Sequence, residues 1–223
     1  MATRRDSSSQ ERPAEPSGSA RWPATIAVIG LGGSSLALPD SLVVGPRWLP
    51  MLVVLALIPP TLLAHRLGRH ALDRALGYAI SIIVTLSLVL SLALLLTGIP
   101  SKSESPGLLL RSAGVLWLTN VLVFALWYWR LDAGGPHERD ARPRHTAGAF
   151  FFPQMMDGAP AEAARDWSPR FVDYLFLAFC TSTAFSPTDT PVLSRWAKVL
   201  TMLQALVSLL CVAILVARAI GSL

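Results

Sequence analysis

Val199–Ala217 is a run of 19 residues without a single charge, and this constrains the chain more than any other feature. A helix needs about 20 apolar residues to cross a hydrocarbon core of roughly 30 Å. Leu76–Gly98 and Leu108–Trp129 also reach that length. Trp48–Ala64 is shorter and carries Pro50, Pro59 and Pro60, which a span tolerates where neighbouring helices cover the freed carbonyls. Thr25–Leu38 must borrow length from its flanks or cross at an angle. The chain is 52% hydrophobic and only 15% charged, with a mean hydropathy of +0.50, outside the range of soluble domains. Trp22, Trp48, Trp127, Trp129, Trp167 and Trp196 fall near segment ends, as an aromatic belt requires, and Trp117 alone lies inside a segment. The expected fold class is all-α, a polytopic helical membrane protein.

Residues 1–21 are a different material. Arg4, Arg5, Ser7, Ser8, Ser9, Pro13, Pro16 and Gly18 have nothing to bury, so a disordered polar tail is expected, and no apolar run follows promptly enough for a signal peptide. Residues 22–106 read as a three-helix membrane region and 107–223 as a second one. Within the latter, Leu131–Ser168 is a long Gly- and Pro-containing loop of mixed charge, of the kind that is functional or disordered.

Arginine placement sets orientation. With a cytoplasmic N-terminus and six spans, 14 Lys and Arg fall inside and 5 outside. If Phe171–Phe185 instead re-enters from the cytoplasm, the division is 15 against 4. Both satisfy the positive-inside rule, so the sequence allows six spans or five plus a re-entrant helix. Length favours re-entry, since Phe171–Phe185 makes only about 22 Å of helix. Asp173, Thr181, Ser182 and Thr183 also suit a buried or water-lined position better than lipid.

The order of the last fifty residues is specific. A short apolar helix (171–184) leads into a polar strip (185–191), followed by a long uncharged helix (194–219). Thr183-Ala184-Phe185-Ser186-Pro187-Thr188-Asp189 resembles the filter strip of tetrameric potassium channels, keeping its first Thr and final Asp. The resemblance implies a pore module with outer helix 108–129, pore helix, filter and inner helix. It implies Thr181, Thr183, Ser186, Thr188 and Asp189 as pore-lining candidates, monovalent cations as permeant species and a tetrameric homo-oligomer. The channel family enters its pore helix from outside, which the charge bias here rejects. A potassium filter needs inward backbone carbonyls, which the family's two glycines permit. Ser186 and Thr188 replace those glycines and Pro187 fixes its φ, so a standard potassium filter is not expected. The competing reading of Ser-Pro-Thr-Asp is a helix stop, with Thr188 or Asp189 capping the next segment. Leu126–Pro136, with Phe152-Pro153-Gln154 and the same strip, resembles a bacterial multi-pass membrane-protein family of no assigned activity. That likeness implies a bacterial inner-membrane location and no particular chemistry.

Other motifs carry less. Gly30-Leu31-Gly32-Gly33 imitates a dinucleotide loop but lacks the third glycine and the later carboxylate, so close helix packing is the better account. His137-Glu138-Arg139-Asp140 with His145 lacks a metal framework and is read as a solvated loop. An exposed Arg130–Asp132 pair would tie the outer helix to that loop weakly. Cys180 and Cys211 lie in apolar segments and imply no disulfide. Asn120 and Gln204 are the amides within clear spans, candidates for interhelical hydrogen bonds. Asp173 is a helix-start carboxylate near Arg170, expected to serve stability. No catalytic constellation stands out, so no enzyme, cofactor or metal is expected. The basic pI of 9.9 is explained by topology and anionic lipid, without nucleic acid. A channel-like pore former is the first functional expectation, and a non-conducting membrane scaffold or accessory subunit the second.

Overall fold

A computed structural model describes residues 22–98, 106–142, 148–156, 167–183 and 190–220. The expected tail 1–21 and the strip residues Ser186, Pro187, Thr188 and Asp189 lie outside them. Among the described residues the chain is helical. α1 is Trp22–Ala37, α2 Trp48–Arg66, α3 His70–Gly98, α4 Pro106–Leu131, α5 Pro136–Asp140, α6 Phe171–Thr183 and α7 Arg195–Ile220. α3, α4 and α7 are long and apolar enough to cross a membrane, whereas α1, α2 and α6 are shorter apolar helices. The architecture is therefore all-α, with three helices long and apolar enough to cross a membrane.

Local sequence explains the turns. Gly68, at φ +65°, closes α2 in a left-handed residue, and the Arg69 N–H reaches back to the Ala64 carbonyl at 2.9 Å. α3 then starts at His70, earlier than the apolar run suggests. Its first turn carries Asp73 and Arg74, because a helix of 29 residues outruns the hydrocarbon layer and can expose charges beyond it. Pro59 and Pro60 lie inside α2 without ending it. Gly32 of α1, taken from the glycine-rich stretch, sits in mid-helix against α2. A Cβ there would meet Met51 Cα and Val54 Cβ at 3.2 Å. The stretch is a helix-packing surface.

Polar side chains point inward. Ser81, Ser91, Ser112, Thr119, Asn120, Gln204 and Ser208 are buried, while Leu86, Val89, Leu118, Leu206 and Leu209 are exposed. That polarity suits an apolar surrounding, where unpaired polar groups are costly. α4 is the central helix: 56% of its apolar window is buried, against 22% for α7. It packs on α1 and α3 on one side and on α6 and α7 on the other.

The region after α4 departs from the expected solvated loop. Asp132–Gly134 is a 3-10 turn, α5 follows, and Phe150 forms an antiparallel bridge with Val192. Arg139, expected in solvent, is buried. Its guanidinium donates to the Trp129 and Asp132 carbonyls at 2.8 and 2.7 Å, satisfying the open end of α4. It also lies 5.1 Å from the Tyr174 ring. Asp132 is likewise fully buried, so its tie to the loop is not an exposed one.

Candidate functional site

The candidate site is the seam of α4, α6 and α7. α6 starts with Phe171 edge-on to Trp129, near the C-terminal end of α4, at 5.9 Å between ring centroids. Asp173 stands three residues past Arg170 and accepts its backbone N–H at 2.7 Å, the reciprocal half of a capping box. Thirteen residues of α6 cover about 20 Å. At its far end Phe179 packs on Trp117 at 5.8 Å, three helical turns back along α4.

That far end is met by polar side chains. Gln204 of α7 donates from Nε2 to the Ala178 carbonyl at 2.6 Å and to Ser182 Oγ at 2.8 Å. Its Oε1 accepts from the Tyr128 hydroxyl at 2.5 Å. Asn120 Nδ2 donates to the Gln204 backbone carbonyl at 3.2 Å. Ser208 Oγ donates to the Ser182 carbonyl and accepts from Trp117 Nε1 at 3.0 Å. A helix leaves its last four carbonyls without intrahelical partners. Here Ser182, next to the last residue of α6, has its carbonyl taken by a hydroxyl from α7.

A second knot holds the start of α6. The Asp132 carboxylate accepts the Tyr174 hydroxyl at 2.6 Å and the Ala149 N–H at 2.5 Å. Gly148 leaves the room: a Cβ there would lie 2.6 Å from Asp132 Oδ1. Phe150 joins the two knots, with its ring 5.1 Å from Tyr128, 6.1 Å from Tyr174 and 6.2 Å from Trp196.

These contacts fix levels along α4. Trp196 in the first turn of α7 shares Phe150 with Tyr128, and Ser208, three turns on, reaches Trp117. α6 and α7 therefore both run antiparallel to α4, and both begin at its C-terminal end. Residues 191–193 also lie at that end: the Phe151 N–H donates to Pro191 O at 3.0 Å, and the Leu193 N–H to Ala149 O at 2.7 Å. The chain ends α6 at mid-bundle and takes up α7 at the end where α6 began.

Among the expected pore-lining residues, Thr181 and Thr183 fall in the last turn of α6. Their hydroxyls donate to carbonyls of their own helix, Thr181 to Leu177 at 2.8 Å and Thr183 to Phe179 at 3.1 Å. Ser186, Thr188 and Asp189 lie outside the described residues. Asn120 and Gln204 meet on the seam. Tyr128, Ser182, Ser208, Trp117 and Tyr174 have their roles only in three dimensions. The legible signal among them is Gln204 and Ser208 on one face of an otherwise apolar helix, in line with buried Ala197 and Cys211. Both cysteines are free and buried. Among the described residues no group of His, Cys, Asp and Glu is arranged to hold a metal ion. No protein-family model, curated protein or solved structure matches this chain.

Proposed function

We propose that α4, α6 and α7 form a channel-like re-entrant module, entered from the arginine-rich face of the membrane, which conducts cations once several copies assemble. One observation carries the reading: α6 stops at mid-bundle, and residues 191–193 lie back at the level where α6 began. That path is the layout of a pore helix, a return strip and an inner helix. It puts Arg195 and Lys198 beside the end that carries Arg130, Arg139 and Arg142, in keeping with the positive-inside rule as five spans plus one re-entrant helix. The C-terminal end of α6, with its negative dipole, is then held inside the apolar layer, where it favours a cation. One chain supplies one wall, so conduction requires a ring of copies, a tetramer in the simplest case. Pro187 and the absent glycines argue against potassium selectivity.

A non-conducting scaffold is the second reading, and one observation favours it. The hydroxyls of Thr181, Ser182 and Thr183 and the Ser182 carbonyl are engaged within the chain. Vesicles loaded with a cation-sensitive dye separate the two. Conduction requires an oligomer in a mild lipid environment and flux that falls in Asp189→Asn with assembly intact. A monomer without flux leaves the scaffold.

A further inference from the structure

At the arginine-rich end, α1, α2, α3, the last turn of α4 and the residues after it line an open cleft. Its walls are of two kinds. One end presents Arg74, Arg130, Tyr78 and His137, and the other is apolar, with Val28 and Leu62. The carboxylate at the polar end, Asp73, is taken by His137 Nε2 at 2.9 Å. Glu138 stands 3.3 Å from Arg74 in a half-exposed pair, a contact worth little. Arg66 and Arg69 add positive charge on the adjoining turn. At Gly77 a Cβ would lie 1.8 Å from Arg130 Nη1, so the guanidinium rests directly against α3 at this end.

The apolar end identifies the kind of ligand. Leu62 is 48% exposed and belongs to the outer apolar surface of the bundle, so the cleft opens toward the surroundings of the helices as well as to the basic turn. A soluble anion would use the guanidinium end and leave the apolar end empty. A molecule with an anionic head and a hydrocarbon tail matches both. Basic pockets between membrane helices bind anionic headgroups by this combination.

We propose that the cleft binds one anionic phospholipid, with its phosphate between Arg74 and Arg130 and an acyl chain along Val28 and Leu62. The test uses the full chain in a neutral detergent, with thermal unfolding followed after addition of phosphatidylglycerol or phosphatidylcholine. Phosphatidylglycerol should raise the Tm by about 5–10 °C over phosphatidylcholine, the rise expected near 100 times Kd for a chain of this size. Arg74→Gln should lose most of that difference and Arg66→Gln should keep it. Arg130→Gln should lose it as well, and if that variant does not fold, Arg74→Gln decides alone. Equal shifts with both lipids, or a difference retained in Arg74→Gln, overturn the proposal. So does equal loss in Arg66→Gln, which indicates attraction to the whole basic face. A shift reproduced by glycerol phosphate without acyl chains assigns the cleft to a soluble phosphate compound and also overturns it.

Discussion

The two halves of this molecule are held together by different physics. Around α1, α2 and α3, contact comes from small residues and apolar packing. Ser34 and Thr61 spend their hydroxyls on carbonyls of their own helices, and the side-chain links that cross, Ser35 to the Arg47 carbonyl and Trp127 to Thr85 Oγ1, are isolated pairs. Around α6 the polar groups reach across: seven side-chain hydrogen bonds link Trp117, Asn120, Tyr128, Gln204 and Ser208 with one another or with Ala178 and Ser182. A helix leaves its last carbonyls without intrahelical partners, and at α6 the Trp117 indole and the Ser208 hydroxyl both reach the Ser182 carbonyl.

This comparison can be broken by substitution. The largest loss is expected for Gln204→Leu, which leaves Tyr128 and Ser182 without a shared partner. Buried polar groups left unpaired cost about 1–3 kcal/mol each, so a fall in Tm of about 5–10 °C in mild detergent is expected. A fall no greater than that of Leu206→Ala, on the exposed face of the same helix, would mean the seam is packed rather than stitched.

Asp132→Asn comes next. It keeps the shape but weakens a charge-assisted bond to Tyr174 and the contact with the Ala149 N–H, for about 1–3 kcal/mol by urea unfolding. On the other side of the molecule Gly32→Val tests the packing half. Overlap with Met51 and Val54 should cost about 1–3 kcal/mol, and a neutral result would show α1 free to move away. Asp173→Asn is the smallest, about 0.5–1 kcal/mol, since it alters a cap on a half-exposed first turn. Orientation is checked separately. Cysteines placed at Arg69 and Arg142, both exposed, should resist an impermeant label in intact cells, and labelling of both would reverse the assignment. Gly68 and Gly134 are poorer positions for such labels because both adopt positive φ.

The sequence carried much of the helical frame. Long apolar runs located α3, α4 and α7, and Trp22, Trp48 and Trp196 marked helix starts because their amphipathic rings prefer ends. That the apolar helix beginning at Phe171 is short was legible from its length and its polar last turn. Gln204 and Asn120 stood out as amides in apolar surroundings. Arg139 and Asp132 did not, because a charged residue in a Gly- and Pro-rich stretch ordinarily faces water. Burial became favourable only where the open carbonyls of α4 met a guanidinium and Tyr174 met a carboxylate. Tyr128 and Tyr174 gave no signal either, since their partners lie 76 and 42 residues away along the chain.

The stitching of α6 has a consequence for the order in which the protein is made. Two of the side chains that secure its far end, Gln204 and Ser208, belong to α7, which is synthesised after α6. Until α7 is synthesised and laid beside α4, the Ser182 carbonyl lacks its hydroxyl donor and the Tyr128 hydroxyl lacks its acceptor. Folding units form from the N-terminus during synthesis. The earlier helices are therefore in place before α6 can be locked, and the arrival of α7 closes the module. A ribosome stalled just short of Gln204 holds an α6 fastened at its start by Asp132 but still lacking the partners that α7 brings to its far end, which makes α7 the step at which this module commits to its fold.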